Sequence, residues 1–127
     1  MVTPGEVEWV ECAAARAELE EVRRQLGDDL FAEWRASLKT FLCDYFSCVP
    51  PCVGKQGKSI SPVPAGVPRA KGLKVRFAYP GCGTRGGLRL AILAFCAEQL
   101  VKVAGAWRRK DDPDDGDFEG AFRDHSR

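Results

Sequence analysis

Between Leu73 and Lys110 the chain carries three strand patterns joined by connections too short to cross a sheet. "LKVRFAY" alternates, with Leu73, Val75, Phe77 and Tyr79 on one side and Lys74, Arg76 and Ala78 on the other. "PGCGTRGG" is a turn by composition. "LRLAILAF" is almost uniformly apolar, as a central strand should be. "AEQ" turns the chain again, and "LVKVAGAWRRK" forms the third strand. Parallel neighbours need a crossover of about a dozen residues or more, so three short-linked strands predict an antiparallel meander.

The residues before the meander supply its cover. "VEWVEC", Val7–Cys12, alternates apolar and acidic residues and reads as a short strand at one edge. Leu19, Val22 and Leu26 fall at helical spacing, Gly27 interrupts, and Asp28 is placed to cap a second helix. Phe31, Trp34, Leu38, Phe41 and Tyr45 then recur every three or four residues. The spacing predicts a helical hairpin, or one bent helix, over 13–46. Residues 47–71 hold five prolines and three glycines and show no periodicity, so they read as a long loop or insertion. After the meander, residues 111–127 form an acidic tail, with a short helix around Phe118–Phe122. The expected fold class is α+β: a short N-terminal strand, a helical hairpin, then a three-stranded antiparallel meander with the helices on one face. At 127 residues this is a single domain spanning 1–127.

Charge is distributed unevenly. Residues 69–110 hold ten Lys or Arg against one acid, a net of +9, inside a chain whose total is +1. Charge runs are usually solvated faces, but ten to one over 42 residues points to a polyanion partner. Alternation puts Lys74 and Arg76 on one face. Arg89 stands on the neighbouring strand, where cross-strand partners lie about 5 Å apart. Arg108 and Lys110 share a face of the third strand, so five cations are expected on one sheet surface, with Arg85 on the loop above. Val75, Phe77, Leu90 and Ile92 are expected on the opposite face, against the helices.

Arginine binds phosphate bidentately and stays charged at any relevant pH. A face of this kind also suits a reaction in which negative charge grows on phosphorus. A ribose 2′-OH could attack the adjacent phosphate there while the protein aligns the groups. No acidic cluster for two metal ions lies within the basic segment, which argues against a metal-dependent nuclease. Tyr79 and Trp107 neighbour the cations and either stack on bases or pack at strand ends, whereas Phe77 reads as core.

Other features exclude more than they add. No apolar run approaches the roughly 18 residues of a membrane span. "MVTPGEVEWVE" lacks a basic region followed by an apolar one, so a cytoplasmic location is expected. Six cysteines occur, and without a secretory signal a disulfide framework is not expected. Cys12, Cys43 and Cys96 sit in apolar patterns. Cys43, Cys48 and Cys52 lack the spacing of common zinc knuckles, though with Cys82 they could staple a docking module.

"GLKVRFAYPGCGTRGGLRLAIL" followed by "VKVAGAWRRKDD" resembles the RelE/HigB-type toxins of bacterial toxin–antitoxin systems, within the RelE/ParE-like superfamily. Lys74 and Arg76 match that family's first basic strand. Gly83, Gly86, Gly87 and Arg89 match its glycine turn and second strand, and Lys110 matches the third. The resemblance implies a microbial-ribonuclease-like domain: the toxin of a type II toxin–antitoxin system, an endoribonuclease (mRNA interferase) acting without metal or cofactor. Its partners would be mRNA, the ribosome and a cognate antitoxin, with no membrane. Arg89 would stabilise the transition-state phosphate. Lys74 and Arg76 would hold the RNA backbone and serve proton transfer or charge stabilisation, and Lys110 with Arg108 would complete the catalytic face. Lys71, Arg85, Tyr79, Trp107, Arg108 and Arg109 would bind RNA around it. Lys74 would act as general base if the surrounding cations favoured its neutral form; otherwise the site works by charge and alignment. The Tyr or His that several members carry near the C-terminus has no tyrosine counterpart here, and His125 lies where chain ends are loosely held. Two other functions fit the residues: a catalytically silent RNA- or ribosome-binding module on the same fold, and a protein-interaction module built on the proline-rich loop and cysteines.

Overall fold

The structure, a computed structural model, describes residues 7–47, 60–78, 87–95, 97–108 and 113–124. The fold is α+β. The elements run β1 (Glu8–Glu11), α1 (Ala13–Leu26), α2 (Asp28–Ser47), β2 (Ile60–Val63), β3 (Lys71–Phe77), β4 (Leu88–Phe95), β5 (Leu100–Arg108) and α3 (Asp115–Arg123). The strands form one five-stranded sheet in the order β1-β5-β4-β3-β2. The pairs β2–β3, β3–β4 and β4–β5 are antiparallel, so the expected meander is present. β1 lies at the edge, parallel to β5, reached by a crossover long enough to hold the helices.

Two elements depart from the sequence reading. β2 lies inside the stretch expected to be a structureless loop, and its "ISPV" pairs with β3 from Ile60↔Val75 to Val63↔Gly72. Pro62 has no backbone donor, which suits an edge strand. The two hairpin helices share one face as expected, but the short C-terminal helix takes the other. α1 and α2 cover one side of the sheet, while α3 covers part of the other together with Val63, Ala65, Val67 and Ala70. The near-continuous apolar run of β4 follows from this: Leu88, Leu90 and Ile92 face the hairpin, and Ala91 and Leu93 face α3.

On the hairpin side, Leu19, Val22, Phe31, Trp34 and Leu38 meet Leu73, Val75, Leu90, Ile92 and Val103 in one buried cluster. Each such aliphatic side chain contributes about 1.5–3 kcal/mol by leaving water. Phe77 packs here as expected, its ring 5.5 Å from Phe41 and 6.0 Å from Trp34. The helices break at Gly27, whose φ of +84° favours glycine, and the Gly27 N–H donates to the Arg23 carbonyl. Asp28 opens the second helix and accepts from Arg23 at 3.1 Å. Cys12 and Cys43 are buried, and burial pushes the Cys12 thiol above its ordinary range. Cys48, Cys52, Cys82, Cys96 and His125 lie outside the described residues. Among the described residues, no helix is long and apolar enough to cross a membrane.

Candidate nucleic-acid interface

Register brings together four of the residues singled out from sequence. Arg76 stands directly opposite Arg89, and Arg89 directly opposite Trp107. The three form a row across β3, β4 and β5 on the side of the sheet away from the hairpin. Lys74 lies on the same side, one pleat along β3 and opposite Ala91. Directly opposed side chains have Cβ atoms about 4.5–5.5 Å apart, and like charges at that distance destabilise a sheet. Arg76 is exposed and has no hydrogen-bond or ion-pair partner among the described residues. Arg89 is half-buried, and its Nη1 donates to the Gly87 carbonyl at 3.4 Å.

Two features of the backbone hold this end of the sheet. The indole Nε1–H of Trp34 donates to the Ala78 carbonyl at 2.8 Å, tying α2 to the chain just beyond β3. Gly87 precedes β4 with φ of +111°, and a Cβ there would meet the Ala78 Cα and the Phe77 carbonyl oxygen at 3.0 Å. Only glycine lets the two strands close to this separation beside Arg89.

Arg108 is not part of the row, contrary to expectation. It pairs with Leu88, a hairpin-side residue, and forms an ion pair with Glu18 of α1. The cause is a bulge. β4 and β5 pair as Ile92↔Val103 and then Ala91↔Gly105, so Ala104 is an extra residue. One extra residue inverts the alternation beyond it. Trp107 thereby takes the cationic face and Arg108 the hairpin face. Lys71 is also off the row: it opens β3, is exposed, and alternates with Leu73 and Val75 rather than with Lys74. Tyr79, Arg85, Arg109 and Lys110 lie outside the described residues.

The acidic C-terminal segment was expected to be a tail with a short helix, and its part in the site was not foreseen. Asp114 caps α3 by accepting from the Asp117 N–H at 2.8 Å, and Asp117 accepts from the Asp114 N–H at 3.0 Å. The capped helix seats Phe118 beside the row. The Phe118 ring is 5.0 Å from that of Trp107, and the Lys74 ammonium is 5.5 Å from its centroid. Gly105 makes this approach possible: a Cβ there would meet Trp107 at 2.6 Å and Ala121 at 3.0 Å. The local signal was present as "DPDDGDF", an N-cap acid three residues before a second acid, followed by an aromatic.

The resulting surface has two guanidinium groups and an indole in line and an ammonium beside them, with the fully buried Phe118 packed against the indole and the ammonium. It can bind a phosphate group and lay a planar ring against it. Among the described residues no group of three or more His, Cys, Asp or Glu side chains is placed to hold a metal ion. No protein-family model, curated protein or solved structure matches the chain.

Proposed function

We propose that the chain is the toxin of a type II toxin–antitoxin pair, an endoribonuclease that cleaves mRNA on the ribosome. In this reading the 2′-OH attacks the adjacent phosphorus. The new O2′–P bond forms as the bond from phosphorus to the 5′-oxygen of the next nucleotide breaks. The 2′ proton leaves, the 5′-oxygen gains one, and the products carry a 2′,3′-cyclic phosphate and a 5′-OH. Arg89 and Arg76 neutralise the charge that grows on the phosphoryl oxygens, and Lys74 lies one pleat away to hold the backbone or move a proton.

The observation that carries the reading is the direct opposition of Arg76 and Arg89 on adjacent strands. Like charges directly opposed on adjacent strands disfavour a sheet, and a bound phosphodiester would offset that repulsion. The resemblance of this basic segment to RelE/HigB-type toxins supplies the reaction and the expected partners: mRNA, the ribosome and a cognate antitoxin in the cytoplasm.

Induced expression in bacteria of the wild type beside Arg89→Ala, with primer extension on abundant mRNAs, tests it. Growth arrest with new mRNA 5′ ends, both absent in the variant, is the expected result. Normal growth with intact mRNA, from folded wild-type protein, would exclude the toxin reading. One observation favours the second reading, an RNA-binding module without cleavage: the described row offers no imidazole or carboxylate to take the 2′ proton. That reading predicts salt-sensitive RNA binding with no new 5′ ends.

A further inference from the structure

We infer that Phe118 is a positioning residue of the cationic face, one that orients Lys74 and Trp107 toward a bound phosphodiester. The inference rests on the RNA-binding reading of that face. Phe118 has no exposed surface, yet it touches two members of the site that come from different strands. Lys74 is on β3, and its ammonium rests 5.5 Å from the ring centroid. Trp107 is on β5, with ring centroids 5.0 Å apart and planes tilted by 48°. A single ring on α3 therefore spans from β3 to β5 above β4.

A lysine side chain loses much rotamer freedom when it is fixed on a ligand. The electron-rich face of the ring attracts the ammonium and holds the stem along an apolar wall. Ordering is then largely complete before RNA arrives, and the ammonium sides turned away from the ring stay available to phosphate. Phe118 is itself held firmly. The reciprocal capping bonds of Asp114 and Asp117 fix the first turn of α3. A helix that merely covered apolar strand residues would need bulk at position 118, which leucine supplies. The aromatic face is what Lys74 uses.

The test measures binding of a single-stranded RNA oligomer, 2′-O-methylated to prevent cleavage, to the full chain by fluorescence anisotropy. Wild type, Phe118→Leu, Phe122→Leu, Lys74→Ala, Arg89→Ala and the Phe118→Leu/Lys74→Ala pair are compared. Phe118→Leu should weaken binding about 3- to 10-fold. Phe122→Leu, on the same helix but with its ring against Gly72 and not beside the Lys74 ammonium, should leave affinity within about 2-fold. The Phe118→Leu loss should shrink to near nothing in the Lys74→Ala background. Equal losses from both phenylalanine variants, full additivity with Lys74→Ala, or tighter binding by Phe118→Leu would each overturn the inference. If wild type fails to bind, or Arg89→Ala binds as wild type does, the RNA reading itself falls and takes this inference with it. Should Phe118→Leu not fold, NMR of the unsubstituted protein decides. The Lys74 ε-methylene should be rigid and shifted upfield by the ring before RNA is added, and a motionally averaged, unshifted signal would overturn the role.

Discussion

The two sides of the central sheet are built from alternate residues of the same three strands, and they end differently. Toward the hairpin, Leu73, Val75, Leu88, Leu90, Ile92, Val101 and Val103 are all at most 1% exposed. Toward α3, Ala91, Leu93 and Ala104 are as deeply buried, but Lys74, Arg76, Arg89 and Trp107 at one end are not. The length of the cover accounts for the difference. The two hairpin helices have 14 and 20 residues, whereas α3 has nine. A nine-residue helix spans about 14 Å, less than half of the roughly 30 Å of a nine-residue strand. One side is therefore a filled core along most of its length, and the other is part core and part open surface. Under the proposed function, stability rests on the hairpin side and binding on the uncovered end, and substitutions can test that division.

The largest effect should come from the filled side. Leu90→Ala, at the centre of β4 with no exposed surface, should cost about 2–5 kcal/mol in urea denaturation. RNA affinity, measured where the variant remains folded, should stay near wild type. A large affinity loss from folded Leu90→Ala protein would show that the two sides are not separable. Gly87→Ala comes next. Its φ of +111° and the 3.0 Å approach of a Cβ to the neighbouring backbone predict a loss of about 1–3 kcal/mol in thermal unfolding. Because this glycine abuts Arg89, the same variant should weaken RNA binding as well.

Much of this division was legible beforehand. The alternation of "LKVRFAY" placed Lys74 and Arg76 away from Leu73 and Val75, and the apolar run Leu88–Phe95 marked the central strand with its observed bounds. Three features were not legible. Four residues around Pro62 are too few to show a period, so β2 was hidden in a proline-rich stretch. The bulge at Ala104 falls in "VAGA", where small apolar residues suit either face and no polar residue marks the change of phase. The expected five-cation face therefore included Arg108, where the bulge puts Trp107 in the row instead. Phe118 was recognised as part of a short helix, but its neighbours Lys74 and Trp107 come from distant strands. No local pattern reports a contact of that kind.

The bulge makes its own prediction. Arg108 and Arg89 look equivalent in the sequence, as basic residues near the ends of adjoining strands. The fold separates them, giving Arg108 to Glu18 and Arg89 to the open row. Arg108→Ala should lower stability by about 1 kcal/mol or less, the usual worth of a part-exposed ion pair, and leave RNA affinity nearly unchanged. Arg89→Ala should reduce affinity and make the salt dependence of binding shallower by about one unit of slope. Equal losses of affinity from the two variants would mean that both arginines serve the ligand, against the parity that the bulge imposes.

The smallest expected change has the opposite sign. Arg76→Thr removes one of two directly opposed guanidinium groups from an exposed strand position and introduces a residue that favours strands. Relief of like-charge repulsion should raise stability by about 0.2–1 kcal/mol, resolved as a higher urea midpoint with unchanged slope. The gain should shrink as salt is added toward 1 M, because the screening length falls from about 10 Å at 0.1 M to about 3 Å. The same variant should bind RNA more weakly. A protein that becomes more stable and less able to bind when one residue is replaced holds that residue for its ligand. Were Arg76→Thr instead less stable at low salt, Arg76 would be held by interactions within the fold, and the opposition of the two arginines would need no ligand to explain it.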